Sequence, residues 1–201
     1  MVRGVLATVI TWAVPVCAIA QGIRPLDTAS YAKAVEAGQT RRAEDIAGDQ
    51  MPMVMRALQD RSADHLSVAP FSIVIETPFG RVATAVADSK RLTGDGPPPS
   101  LDLANASRIV VKITHGYSFA MARNVKSVSI RRSDAVSGPS RSTILPTAIE
   151  SSTGVRRTIT EGEFTFEFAA FQGTGPITIV VFTDGPSFEW TMTRAELEMI
   201  N

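Results

Sequence analysis

The stretch from Glu161 to Ile200 constrains the fold most, because its apolar residues repeat with the period of β-strands. Phe164, Phe166 and Phe168 alternate with polar residues, which is the period of two that places one face of a strand in a core. After a turn that contains Gly and Pro, residues 177–182 form an apolar, β-branched run suited to a strand buried on both faces. This stretch therefore predicts a β-rich core.

The end of the chain predicts one more strand and a short helix. Phe188 and Trp190 alternate around a glutamate, as in a half-buried strand. Thr193 and Glu196 then match the T-x-x-E capping box, in which each side chain bonds the backbone amide of the other residue. We expect Leu197 on the helix that follows to face the core.

The region before this stretch contains further strand patterns separated by turns. Residues 71–76 and 81–87 are predicted to form a hairpin across residues 77–80, where proline presets φ and glycine accepts positive φ. The other predicted strands are residues 108–113, 117–121, 125–132, 143–150 and 155–160.

About nine or ten short strands without crossover helices indicate a mainly β fold. We predict an antiparallel β-sandwich, immunoglobulin-like or jelly-roll-like, over residues 67–201. A helical leader over residues 21–66 is expected to precede it, and the short C-terminal helix to close it.

Residues 1–20 have the pattern of a secretory signal peptide. Arg3 precedes an apolar run, and the Ala-Ile-Ala sequence at residues 18–20 predicts cleavage before Gln21. Cleavage would remove Cys17, the only cysteine, so the mature chain would contain no disulfide. These features predict a periplasmic or extracellular protein with no stable membrane span after cleavage.

The leader contains a methionine-rich run that suggests a metal site. Met51, Met53 and Met55 form M-x-M-x-M, with His65 further along the chain. Thioether sulfur is a soft ligand that favours Cu(I). The competing interpretation is core packing, because Met51 and Met55 share a helical face while Met53 points elsewhere.

Two arginine doublets suggest a site for an anion or a partner protein. They are Arg131 with Arg132, and Arg156 with Arg157. If their strands are neighbours, the four side chains would form one basic patch. The alternative is that they are solvated strand edges, where charge discourages aggregation.

Charge and motifs exclude several classes of function. The chain has 20 basic and 20 acidic residues, and removal of Arg3 with the signal leaves a formal charge of −1. A nucleic-acid surface needs a clustered basic footprint, so no nucleic-acid partner is predicted. No P-loop, G-x-S-x-G, H-E-x-x-H or G-x-G-x-x-G motif occurs, and we therefore predict no catalytic residues and no cofactor.

These observations favour an exported, non-enzymatic binding or protein-interaction module of the bacterial envelope. Its expected partner is another envelope protein. One alternative is a periplasmic carrier of copper or a small ligand that uses the methionine-rich helix. Another is a hydrolase without a recognised motif.

Overall fold

The chain is mainly β and antiparallel, as the sequence predicts, and its strands form two four-stranded sheets. The computed structural model describes residues 23, 25–50, 71–94, 98–104, 108–116, 120, 122–133, 135–198 and 200. The strands are β1 (Phe71–Glu76), β2 (Arg108–His115), β3 (Val125–Arg131), β4 (Val136–Ser137), β5 (Arg141–Glu150), β6 (Arg156–Glu167), β7 (Ile177–Thr183) and β8 (Phe188–Met192). The helices are α1 (Thr28–Thr40), α2 (Ala43–Asp49), α3 (Pro78–Thr93), α4 (Leu101–Ala104) and α5 (Arg194–Glu198).

The two sheets pack against each other around one apolar core. The first sheet has the order β1-β2-β6-β5 and the second the order β4-β3-β7-β8. Alternate residues of the strands, such as Val111 on β2 in the first sheet and Ile179 on β7 in the second, belong to the same buried cluster. Phe71 on β1 meets Trp190 on β8 edge to face, with ring centroids 6.4 Å apart.

The hairpin predicted after β1 is wrong, because residues 81–87 belong to helix α3 rather than to a return strand. Thr77 is the N-cap of α3 and accepts a hydrogen bond from the Gly80 amide at 3.1 Å, and Pro78 occupies the first turn. Val82 and Val86 alternate as in a strand, but their spacing of four also fits one face of a helix. The packing of this segment against α1 as a helix overrides the strand-like alternation of its valines.

The N-terminal helices pack on α3, and they lie within the predicted helical leader. Gly38 of α1 lies so close to α3 that an added Cβ would be 2.4 Å from the Ala83 carbonyl oxygen. After α2, the carbonyl of Gln50 accepts the Ile75 amide of β1 at 2.9 Å. The helices thereby satisfy part of the otherwise free edge of β1.

The C-terminal predictions are confirmed. The Thr193 amide donates to the Glu196 carboxylate at 2.7 Å, and the Glu196 amide donates to the Thr193 hydroxyl at 3.3 Å, which completes the capping box. Leu197 is buried in the shared core. The sequence predicts separate strands at residues 155–160 and 164–168, but β6 runs unbroken from Arg156 to Glu167, so the described part has eight strands. Phe168, predicted as a strand residue, instead begins a 3-10 helix that ends at Phe171.

Most of the remaining strand predictions are confirmed within a few residues. β2, β3 and the β5–β6 hairpin lie where the alternation places them. The short strand predicted at residues 117–121 lies almost wholly outside the described residues. No helix in the described ranges combines the length and apolar composition that crossing a membrane requires.

Candidate functional site

Strand β5 is a long edge strand that leaves its apolar residues in contact with solvent. It pairs with β6 along ten residues and ends the first sheet on that side. None of those ten residues is buried. Leu145 is 56% exposed and Ile144 is 40% exposed, and Val155 in the turn after β5 is 56% exposed.

Two features of the fold explain this exposure. First, β2 pairs with β6 only along residues 162–167, whereas β5 continues along β6 to Arg156. From Gly162, the last residue of β6 that pairs with β2, the two strands continue alone; we call residues 144–150 and 156–162 the β5–β6 arm. Second, β4 ends the other sheet on the same side and has only two residues, so it is too short to cover β5.

The two exposed residues at the centre of β5 lie on opposite faces of the arm. Ile144 pairs with Gly162, which shares the core side with Phe164. Leu145 pairs with Glu161 and lies on the outer side. Residues directly opposite in an antiparallel pair share a face, so Ile144 and Leu145 expose apolar surface on opposite sides of the strand, although Ile159, on the same side as Leu145, is fully buried.

The free edge of β5 is interrupted by a proline. Pro146 pairs with Thr160, whose amide donates to the Asn124 Oδ1 atom at 3.0 Å and not across the hairpin. Pro146 and Thr160 therefore exchange no backbone hydrogen bonds with each other. In such a pair the backbone N and C=O groups point away from the partner strand, so those of Pro146 face the free edge. Proline has no amide hydrogen, so this edge lacks one donor at its centre.

Nearer its centre, the outer face of the same sheet carries paired charges rather than exposed apolar residues. Lys112 of β2 lies 3.3 Å from the Glu76 carboxylate and 3.5 Å from the Glu163 carboxylate. Burial alone would lower the pKa of Lys112, but these two carboxylates together outweigh burial and raise it. The exposed apolar surface of this sheet is thus concentrated at β5.

The base of the arm is held by the side chain of Glu161. Its Oε1 atom accepts the backbone amide of His115 at 2.5 Å, and its Oε2 atom accepts the hydroxyl of Thr147 at 2.8 Å. Glu161 thereby connects the end of β2 to β5 across β6. Burial lowers the pKa of His115, and the positive charge of Arg157 acts in the same direction, while Glu161 opposes both.

The predicted basic patch is divided between the two sheets. Arg131 and Arg132 lie at the end of β3, whereas Arg156 and Arg157 begin β6. The end of β3 that approaches β6 is Val125, whose carbonyl accepts the Thr160 hydroxyl at 2.8 Å. Arg131 stands six positions further along β3, which is roughly 20 Å away. The structure does not bring the doublets together.

Each of the four arginines already contacts an acceptor of the chain. Arg131 pairs with Glu189 at 2.5 Å, and Arg156 pairs with Glu150 at 2.5 Å. The other two donate to main-chain carbonyls, Arg132 to Gln172 at 2.6 Å and Arg157 to Ala122 at 3.1 Å. That either doublet alone binds an anion or a partner protein remains a prediction.

The predicted metal ligands Met51, Met53, Met55 and His65 lie outside the described residues. Among the residues that the structure does describe, no group of three or more His, Cys, Asp or Glu side chains is arranged to hold a metal ion.

The interpretation of the sequence missed the exposed arm, although one residue signals it. The alternation correctly predicts a strand at residues 143–150, but it does not show that the apolar residues there are exposed. Pro146 within that strand is typical of a sheet edge, because a central strand needs the amide that proline lacks.

Comparison with known proteins gives no significant match to a protein-family model, to a curated protein or to a solved structure.

Proposed function

We propose that the chain is an exported, non-enzymatic protein-interaction module that binds another envelope protein through the β5–β6 arm. The observation that carries this proposal is the exposure of Ile144 and Leu145 on a strand with no buried residue. Exposed apolar residues grouped on one element are typical of binding surfaces.

The strand order supports an immunoglobulin-like sandwich as the finer description of the fold. In that architecture one sheet has the order A-B-E-D and the other contains C, F and G. The orders β1-β2-β6-β5 and β4-β3-β7-β8 correspond to A-B-E-D and C′-C-F-G when the strands are lettered along the chain. Under this proposal β5 is strand D, and α3 is an insertion between the first two strands. Fold alone does not assign function, so the proposal depends on the arm.

Residues 1–20 support the export part of the proposal, and the mass of the purified protein tests it. Cleavage before Gln21 predicts a mature chain that starts at that residue. Stoichiometric copper in the same preparation would instead support the carrier that uses Met51, Met53, Met55 and His65.

The binding role is tested by capture of envelope proteins with matched variants. We expect the double variant Ile144→Ser, Leu145→Ser to lose a protein that the wild-type chain retains. The control is Phe182→Ser on β7, because Phe182 is 40% exposed, as Ile144 is, but lies on the other sheet. The control should retain the partner. Equal capture by all three proteins would contradict a role for the arm.

A further inference from the structure

We propose that the chain crosses the membrane unfolded and loses residues 1–20 before Ile23 enters the core. The cleavage site before Gln21 belongs to the proposed export, so the inference rests on that part of the proposed function. What the fold adds is the burial of residues that closely follow this site.

Ile23 lies in the core that the two sheets share, although it belongs to no strand. Its side chain is 5% exposed, and it is part of the same buried cluster as Phe71 on β1 and Trp190 on β8. Ile23 would be the third residue of the cleaved chain. Its withdrawal from the core exposes an apolar side chain to water, which the folded state resists.

Leu26 and Asp27 hold the next part of the chain in the helical layer. Leu26 is 8% exposed and lies in a second buried cluster with Val82 and Val86 of α3. Asp27 is the N-cap of α1, and its carboxylate accepts the Ser30 amide at 2.7 Å. The start of the cleaved chain is thus held by both parts of the fold.

These contacts shield the cleavage site from a protease. A protease cuts a folded protein through states in which the segment around the site has opened. The chain from Gln21 to Ile23 spans at most about 7 Å. A protease that binds the residues on the carboxyl side of the cut therefore has to draw Ile23 out of the core. A chain that folds before cleavage would keep residues 1–20.

The sequence of residues 1–20 agrees with export before folding. Arg3 is the only charged residue in this segment, so the segment contains no arginine pair of the kind that marks twin-arginine signals. Those signals serve proteins that fold before export.

Cleavage of the purified full-length chain by signal peptidase tests the inference. The unfolded reference is a peptide of residues 1–30, which contains the cleavage site but none of the strands. Both substrates are held in the same mild detergent, and cleavage before Gln21 is followed by mass. We expect the folded chain to be cut more slowly than the peptide by about tenfold or more, since its cleavage requires opening. Equal rates would overturn the inference.

Two serine variants of the full-length chain assign the shielding to Ile23. We expect Ile23→Ser to raise the rate by about threefold or more relative to a peptide with the same substitution, because the core holds serine less strongly. Ile144→Ser changes an isoleucine that is 40% exposed on β5, and it should remain as slow as the wild type. Acceleration by both variants, or by neither, would overturn the inference.

A third variant separates local opening from loss of the whole fold. Ile179→Ala lowers the stability of the core at β7 but leaves Ile23 in place, so we expect slow cleavage. Acceleration equal to that of Ile23→Ser would mean that cleavage follows global unfolding, and would overturn the role given to Ile23.

The peptide also separates this inference from the proposed export. A peptide that is not cut before Gln21 would refute the export, and the inference with it. A peptide that is cut there, but no faster than the folded chain, would refute the inference and leave the export intact.

Discussion

Strands β5 and β7 are both rich in apolar residues, but the fold uses them in opposite ways. β7 lies between β3 and β8, and its residues Ile177, Ile179 and Val181 are buried in the shared core. β5 has one neighbour and buries none of its residues, although it contains Ile144 and Leu145. Edge position alone does not explain the difference, because β1 also ends its sheet and buries Phe71, Ile73 and Ile75. What differs is the element that lies opposite: β1 packs against β8, whereas β4 has only two residues and leaves β5 uncovered.

Replacing one isoleucine with alanine on β7 and one on β5 should produce the largest difference in the free energy of unfolding. Ile179→Ala removes a fully buried side chain, and we expect it to lower the free energy of unfolding by about 2–5 kcal/mol. Ile144→Ala removes a side chain that is 40% exposed, and we expect a change within about 0.5 kcal/mol. Urea denaturation of both variants measures the two values. Similar losses would mean that β5 is buried in solution.

Asn124 joins the arm to the residue that follows β7. Its removal should cause the next largest loss of stability. Its Oδ1 atom accepts the Thr160 amide at 3.0 Å, and its Nδ2 atom donates to Asp184, just after β7, at 2.6 Å. We expect Asn124→Ala to cost about 1–3 kcal/mol, because it leaves these groups without their partner. Thermal melts should show this loss, with the exposed Gln172→Ala as a control that changes little.

Stability should fall as the pH is lowered through the range in which His115 titrates. Burial holds the pKa of His115 below its ordinary value of 6.5, so the unfolded chain binds the proton first. Its contribution to stability is complete above pH 6.5 and is lost as the pH falls through the pKa of the folded state. The lowered carboxyl pKa values of Asp27, Asp45 and Asp184 start from 3.8 and act at more acidic pH.

Urea midpoints at about pH 7.5 and about pH 5 measure this effect. The wild-type midpoint should be lower at the acidic value, and His115→Gln should reduce the difference. An equal difference in both proteins would assign the effect to other groups.

Pro146→Thr should have the smallest effect on stability and a clear effect on association. Threonine suits an exposed strand and restores an amide donor at the centre of the free edge. We expect a change in unfolding free energy within about 0.5 kcal/mol, together with concentration-dependent self-association in sedimentation experiments. A variant as monodisperse as the wild-type chain would show that Pro146 does not protect this edge.

The strands were predictable where the strand period of two is the clearer pattern in the sequence. Phe164 and Phe166 repeat at two and lie on β6, whereas Phe168 and Phe171, which stand four and seven residues after Phe164, lie in a short 3-10 helix. Val82 and Val86 fit both periods, and the contact of α3 with α1 decided in favour of a helix. That contact joins residues distant in the sequence, so no local pattern contains it.

The candidate site was less predictable than the fold, because it depends on pairing. Alternation placed a strand at β5 but could not show that β2 leaves β6 at Gly162. It also could not show that β4 has only two residues. Pro146 was the one local sign of an edge. Glu161 meets His115 and Thr147 only once three strands are aligned, and their separation in sequence conceals this cluster.

Site-specific photo-crosslinking in envelope extract tests the role of β5 most directly. A photoreactive residue is placed at Leu145 on the arm or, as the matched control, at Phe182 on β7. We predict a discrete adduct with one envelope protein from position 145 and none from position 182. No adduct from position 145, or the same adduct from both positions, would contradict the assignment of the arm as the binding surface.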